Sequence, residues 1–242
     1  MKILDLERKF FFDEAGDRRM EGQNQENWKA VAGIVQREAV ASLPRKPWDI
    51  LDIGCHTGGL LDTMCREFTD TLGFQGNRVR SLAGIEPLRH PRETAQQRLS
   101  GATLFEKIED VPAQSVDVAV GHEFLYLVPD LRGWISELRR ILRPEGGAYI
   151  SLGSHGENKA WLRWRDRLEE LYGHASHVYM PLQILDFGCQ AGFDMELHRL
   201  NLQPTASRRY SPPGDGWGEF ISAEEMLNFQ QQKYVFVFYP RR

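Results

Sequence analysis

Short apolar runs alternate with longer amphipathic stretches along this chain, and the alternation predicts an α/β fold. The run Asp49–Ile53 is too short for a helix and suits a buried strand covered on both faces. Between such runs, apolar residues recur at helical spacing, as in Trp28, Val31, Val35 and Ala39. We therefore expect helices that pack on the faces of a largely parallel sheet.

The first strand leads into a glycine-rich turn, Gly54–Gly59, with the sequence GCHTGG. Glycine permits a sharp turn and a close approach of ligand to backbone, and the following helix directs its free N–H groups to the same place. Such a turn favours a nucleotide-type site at the carboxyl edge of a parallel sheet. Taken alone it fits a tight strand–helix loop equally well. It also departs from the G-x-G-x-x-G pattern of nicotinamide and flavin sites, because His56 replaces the middle glycine.

A second short strand ends in a carboxylate, Glu86, within the segment LAGIEPL. A carboxylate there can accept hydrogen bonds from both hydroxyls of a ribose. The alternative is that Glu86 caps the next helix, where the helix dipole favours negative charge. The turn and this carboxylate together favour a ribose-bearing ligand.

Four blocks then occur in a fixed order: LDIGCHTGG, GIEPL, IEDVPAQSVDVAV and ELRRILRPEGGAYISL. In these blocks, which cover roughly Trp48 to Leu152, the sequence resembles the class I S-adenosylmethionine-dependent methyltransferases. The resemblance implies a Rossmann-like seven-stranded mostly parallel sheet, an antiparallel C-terminal edge hairpin and helices on both faces. Lys233–Tyr239 would pair with Asp194–Leu200 in that hairpin. A second glycine-rich stretch, Ile184–Gly192, is interpreted as a helix and a turn into a strand.

The resemblance implies S-adenosylmethionine as cofactor and a set of residues that bind it. They are Asp52, Gly54, Cys55, His56, Gly58, Glu86, Pro87, Leu88, Ile108, Glu109, Gly121 and His122. Leu88 and Ile108 would cover the two faces of adenine, and either Glu109 or Asp110 would accept from its amino group. His56, where the family usually has glycine, would fill space beside the methionine part, contact its carboxylate, or point to solvent.

Candidate catalytic residues follow two strands at the edge where ligands bind in open α/β sheets. They are His122, Glu123 and His155. Histidine titrates near neutral pH and can take a proton from a hydroxyl or amine nucleophile. The alternative for each histidine is a hydrogen-bonded loop residue, since methyl transfer mainly needs alignment of nucleophile, methyl and sulfur.

The domain prediction places an N-terminal lid and covering helix at residues 1–45 and the methyltransferase domain at 46–242. In the lid, Phe10–Phe12 would cover the ligands or strap onto the core. Hydrogen bonds of the lid would come from Arg18, Arg19, Asn24 and Asn27. A long connection before the last strand carries Trp217 and Phe220, which would border a substrate pocket; the alternative is a plain surface excursion.

Composition narrows the class of acceptor. A net charge of −4 and a pI near 6.0 argue against a broad nucleic-acid face. The three cysteines do not have the spacing of metal ligands, and their small, odd number suggests reduced thiols in the cytoplasm. The sequence shows no signal-peptide core and no apolar run long enough to span a membrane, which suggests a cytoplasmic location away from membranes. We expect O- or N-methylation of a small molecule. The alternatives are an RNA or protein methyltransferase that uses the helix bearing Arg163 and Arg167, or a non-catalytic binding domain. Monomer and homodimer both remain open.

Overall fold

The structure of this chain is a computed structural model that describes residues 14–44, 47–71, 79–172, 176–200, 202 and 221–241. The predictions for Phe10–Phe12, Trp217 and Phe220 concern residues outside these ranges. Within them, no helix has the length and apolar character that a membrane crossing requires.

Seven strands form one sheet in the described part of the chain. In chain order they are β1 (Trp48–Ile53), β2 (Val79–Ile85), β3 (Thr103–Phe105), β4 (Val116–His122), β5 (Leu142–Leu152), β6 (Phe193–Arg199) and β7 (Tyr234–Pro240). Their order across the sheet is β3-β2-β1-β4-β5-β7-β6. Strand β7 is antiparallel to β5 and β6, whereas the other neighbouring pairs are parallel. The predicted seven-stranded sheet with an antiparallel hairpin at its C-terminal edge is confirmed.

Helices lie on both faces of this sheet. The described helices are α1 (Glu14–Ser42), α2 (Gly59–Thr71), α3 (Arg89–Arg98), α4 (Leu131–Ile141), α5 (Lys159–Tyr172), α6 (Pro181–Gln190) and α7 (Ala223–Asn228). Short 3-10 turns occupy Ile108–Asp110, Leu125–Leu127 and Phe229–Gln232. Helix α6 confirms that the second glycine-rich stretch is helical.

Alternate residues of each central strand enter two separate cores, as the two-residue period of a strand requires. Ile50 and Val118 pack with Val31 and Val35 of α1 on one face. Leu51 and Ala119 pack with Ile135 of α4 on the other. The central strands are therefore buried on both sides, and the loops that follow their carboxyl ends lie together at one edge of the sheet, where ligands bind in open α/β sheets.

The start of β5 is irregular. Val116 pairs with Leu142 and Val118 with Gly147, so residues 143–146 form a bulge inside the strand. A Cβ atom on Gly146 would lie 2.9 Å from the carbonyl oxygen of Asp117, so only glycine fits there. Asp117 Oδ2 accepts a hydrogen bond from Arg143 Nη1 at 2.6 Å. Because Asp117 also lies far from the carboxyl edge, its role is structural.

Candidate cofactor and active site

The glycine turn joins β1 to α2 directly beside the end of β2. The backbone N–H groups of Gly54 and Cys55 both donate to the carbonyl oxygen of Ile85, at 2.9 and 3.0 Å. Gly54 and Gly58 have φ angles of +72° and +82°, which glycine adopts without steric cost. The turn and the end of β2 are thus held as one unit.

Side chains fill the space that the missing Cβ atoms leave at these glycines. A Cβ on Gly54 would lie 3.1 Å from Phe124 Cβ, and one on Gly59 would lie 2.5 Å from the Trp28 ring. We predicted that these glycines make room for a ligand. In this structure they make room for packing by Phe124, which follows β4, and by Trp28 of α1, and the ligand contacts remain a prediction.

His56 also has a left-handed backbone, with φ +48°. This explains why glycine is usual at this position, since a side chain there costs about 1–2 kcal/mol. Its backbone N–H donates to Glu86 Oε2 at 3.0 Å, and the N–H of Leu88 donates to Glu86 Oε1 at 2.9 Å. Glu86 therefore braces both the turn and the start of α3. The role of the His56 side chain stays open.

Asp52 and Glu86 are two buried carboxyl groups, 1% and 5% exposed, at the ends of adjacent strands. Asp52 Oδ2 has no hydrogen-bond partner among the described residues. Burial, with the nearby charge of Glu86, raises the pKa of Asp52 to about 8. Burial also raises the pKa of Glu86 to about 7. This pair would be stabilised by a ligand that brings a cation and hydroxyl donors to it.

Cys55 faces the sheet rather than the open edge. It is 4% exposed, and its Sγ would lie 2.7 Å from a Cβ placed on Gly84 of β2. Burial raises the pKa of the Cys55 thiol, so the thiol stays protonated. Contact of Cys55 with a cofactor would have to come from its backbone.

The residues expected around adenine lie on two segments next to Glu86. Ile108 is 7% exposed, and its carbonyl oxygen accepts from Arg140 Nη2 at 3.0 Å, which fixes the 3-10 turn. Leu88 is half-buried at the start of α3, and Pro87 before it is exposed. Glu109 and Asp110 are both exposed on the turn, so the choice between them stays open.

His122 ends β4 and is bonded through both ring nitrogens. Nδ1 lies 2.6 Å from Ser151 Oγ on β5, and Nε2 lies 3.2 Å from Asn24 Oδ1 on α1. Because an amide oxygen only accepts, a neutral ring with its proton on Nε2 fits both contacts. Burial and the nearby charge of Lys233 lower the pKa of His122 to about 3. Asn24 thus makes a hydrogen bond at the carboxyl edge, and its role in a lid remains a prediction.

Glu123 follows His122 with a left-handed backbone, φ +54°. Its Oε1 accepts from the N–H of Gly153 at 2.9 Å, and its Oε2 accepts from Ser154 N–H and Oγ–H at 3.2 and 2.8 Å. The carboxylate also forms an ion pair with Lys233, which immediately precedes β7. Burial raises the pKa of Glu123, but the charges of Lys233 and His122 and the hydrogen bonds to the carboxylate together lower it by more, so the net direction is down. This geometry favours a positioning role, and the predicted catalytic role remains a prediction.

His155 is 1% exposed and is bonded to backbone on both sides of its ring. Nε2 lies 2.7 Å from the carbonyl oxygen of Gln232, and Nδ1 accepts from the N–H of Glu157 at 3.2 Å. Burial lowers the pKa of His155. Because no ring nitrogen is left for a substrate, the geometry favours a structural role over the predicted catalytic one.

Comparison with known proteins assigns the chain to a family. The family model described as "Methyltransferase domain" matches residues 20–198. The chain belongs to this methyltransferase domain family. The predicted resemblance to S-adenosylmethionine-dependent methyltransferases is thereby confirmed.

Individual proteins with a known name share less than a third of their residues with this chain over the aligned region. The ubiquinone biosynthesis O-methyltransferase of Pectobacterium atrosepticum is 29% identical over 136 residues, which are 54% of this chain and 51% of that protein. The chain thus matches about half the length of this curated relative. A chain in the complex between the Haloferax volcanii Trm112 methyltransferase activator and a methyltransferase has a TM-score of 0.69 at 19% identity, covering 96% of this chain and 100% of that one. Haemonchus contortus phosphoethanolamine N-methyltransferase 2, in complex with S-adenosyl-L-methionine, has a TM-score of 0.58 at 14% identity, covering 84% and 51%.

Sequence reasoning missed a polar cluster that holds α1 against the glycine turn of this methyltransferase domain. Glu21 Oε1 accepts from Thr57 Oγ1 at 2.9 Å, and the two Glu21 oxygens accept from Arg98 at 2.6 and 3.0 Å. Arg98 also donates to the carbonyl oxygen of Thr57 at 3.1 Å. Glu21 and Arg98 are 77 residues apart, so no local pattern in the sequence links them.

Proposed function

We propose that the protein transfers a methyl group from S-adenosylmethionine to oxygen or nitrogen of a small molecule. The observation that carries the proposal is the buried carboxyl pair Asp52 and Glu86 beside the glycine turn, with Asp52 Oδ2 lacking a partner among the described residues. S-adenosylmethionine offers an ammonium group and two ribose hydroxyls, which are the donors that such a pair lacks. Membership of the methyltransferase domain family supports the same ligand.

In this proposal Glu86 holds the ribose and Asp52 attracts the positively charged amino acid end. Glu86 already accepts from two backbone N–H groups, yet each carboxylate oxygen can accept a further bond. Bound hydroxyls and a cation favour the charged forms of both groups, so their raised pKa values would fall on binding. Leu88 and Ile108 flank the position for adenine.

The bound sulfonium supplies the electrophile, and the chain's own task is then alignment of the acceptor. His122 stands at the carboxyl end of β4, held by Ser151 and Asn24. Its lowered pKa makes it a weak base while it is buried, so the geometry supports positioning more than proton removal. An acceptor that displaced Asn24 from Nε2 would meet a polar, neutral ring.

A small acceptor is favoured over RNA because the arginine-bearing helix is partly engaged. Arg163 of α5 pairs with Glu225 of α7 at 2.5 Å, so its charge is not free for phosphate. The chain also carries a net charge of −4. The relative from Pectobacterium atrosepticum, named for O-methylation in ubiquinone biosynthesis, supports a small acceptor as well.

Binding of S-adenosylhomocysteine, measured by calorimetry, tests the cofactor. Glu86→Ala should weaken binding about 10–100-fold, because a charged hydrogen bond contributes roughly 1.5–3 kcal/mol. Glu93→Gln, on the exposed face of α3, is the matched control and should bind as wild type does. No binding by folded, nucleotide-free wild type would contradict the proposal.

Transfer of labelled methyl from S-adenosylmethionine tests the acceptor class. We expect incorporation with a metabolite extract, and none with total RNA or protein. Incorporation into RNA or protein alone would overturn the small-molecule assignment. Binding of the cofactor without transfer to any of the three would favour a non-catalytic domain.

A further inference from the structure

A second group of ionisable side chains lies on the sheet face that α1 covers, away from the glycine turn. Glu38 of α1 meets Glu196 and His198 of β6, and one ligand-type atom from each lies within 4.8 Å of the others. Glu196 is level with Val237 and Tyr149 across the sheet, in the middle of the edge strand. The group is therefore separate from the carboxyl-edge site, where β1 and β4 end.

Two carboxylates so close together repel one another unless a cation lies between them. His198 Nε2 is 3.1 Å from Glu196 Oε2, with side-chain exposures of 28% and 52%. One imidazole with two carboxylates is a ligand set that zinc, manganese and related divalent ions accept, with further positions open to water. Ligands of one such ion lie about 3–4 Å apart, so the three side chains need only a small contraction.

The charge of the two carboxylates extends into the interior of the sheet. Tyr149 is fully buried and lies level with Glu196 across the sheet. Burial raises the pKa of its hydroxyl most, the charge of Tyr239 and a hydrogen bond with it add to this effect, and the negative charges of Glu38 and Glu196 raise the pKa further. A cation bound between the carboxylates would offset that negative charge.

We propose that Glu38, Glu196 and His198 bind a divalent transition-metal ion that ties α1 to edge strand β6. The site does not depend on the proposed methyl transfer, because none of its residues belongs to the carboxyl-edge site. A bound ion would restrict the movement of α1. Because α1 also carries Asn24 and Glu21, this would hold in place the helix whose side chains contact His122 and the glycine turn.

The test is calorimetric titration of the tag-free, chelator-treated full chain with Mn²⁺. Wild type should bind one ion, and binding should weaken at least about tenfold in Glu38→Gln and in His198→Gln. The double variant His90→Gln with Glu93→Gln, on exposed positions of α3, is the matched control and should bind as wild type. No binding by wild type, or equal binding by both site variants, would overturn the proposal.

Cobalt(II) provides a readout that does not need the variants to fold. Binding at this site should give visible absorption bands of nitrogen and oxygen ligation in wild type. An intense thiolate band would place the ion at a cysteine, such as the exposed Cys189, and overturn the assignment. Failure of Mn²⁺ to raise the unfolding temperature of wild type would also overturn the proposal.

Discussion

Replacing Lys233 with methionine tests the polar connection between the end of β4 and the start of β7. The substitution keeps the length of the side chain but removes the ammonium group that pairs with Glu123. The Lys233 and Glu123 side chains are only 9% and 19% exposed, so water cannot replace the lost partner well. The variant therefore leaves a carboxylate buried without its counter-charge.

The expected cost follows from what remains around that carboxylate. Removing one member of a buried ion pair costs about 3–5 kcal/mol. Gly153 and Ser154 still donate three hydrogen bonds to Glu123, so we expect the lower end, about 3 kcal/mol. For a chain of this size, that lowers the unfolding temperature by about 6–12 °C.

Urea unfolding at pH 7 measures this cost, in a double-mutant cycle with Glu123→Gln. Loss in the double variant should be smaller than the sum of the single losses by more than about 1 kcal/mol, because no unpaired charge remains. Arg66→Met removes the exposed helical pair with Asp62 and should cost only about 0.3–0.5 kcal/mol. Additive losses in the cycle, to within about 0.5 kcal/mol, would refute the buried pair.

The same pair predicts a pH dependence with a definite sign. The pKa of Glu123 is lowered in the folded state, so its contribution is complete above its ordinary pKa of 4.5. That contribution is lost as the pH falls through the folded pKa. The stability difference between wild type and Lys233→Met should therefore be largest near neutral pH and shrink in acid. A difference that grew below pH 4.5 would contradict the assignment.

Three further substitutions test the local geometry by denaturant unfolding. His56→Gly should stabilise the fold by about 0.5–1 kcal/mol, because it relieves a left-handed backbone at φ +48°; a loss of stability would contradict that strain. Gly121→Ala should destabilise by about 1–3 kcal/mol, since its Cβ would lie 2.5 Å from Phe124 Cε1; no change would mean that the ring moves freely. Arg143→Met should cost about 2 kcal/mol by leaving Asp117 buried at 3% exposure without its cation, and a neutral result would assign the pair to the solvated surface.

Features carried by one continuous stretch of sequence were predictable. The run before Gly54 alternates between the two faces of the sheet, so its burial and its turn follow from short-range pattern alone. The place of Glu86 at the carboxyl end of β2 was predictable because Glu86 directly follows an apolar run, whereas its role toward a ribose remains a prediction. The same local pattern separated Ile184–Gly192 from the true glycine turn, since no strand with a terminal carboxylate follows it.

Contacts between side chains that are far apart in the sequence were not predictable. Lys233 and Glu123 are 110 residues apart, and nothing in either neighbourhood indicates the other. His155 shows the same limit: its position at the carboxyl edge left both chemistry and a hydrogen-bonded loop role open, and the structure adds that two backbone segments bond both ring nitrogens. A sequence pattern predicts on which face and at which edge of the sheet a residue lies. The hydrogen-bond partners of that residue depend on the conformations of loops that come from distant parts of the chain.

The packing of α1 indicates how ligands would reach the site beneath it. The helix is anchored by apolar residues from Trp28 onward, which pack against the sheet and the glycine turn. Before that point it is held by polar contacts of Glu21 and Asn24, which ligands can replace with bonds of their own. Because the apolar part cannot lift without exposing the core, access should come from the first turns of the helix. Amide hydrogen exchange should then be faster before Glu26 than after Val31, and equal protection along the helix would contradict this route.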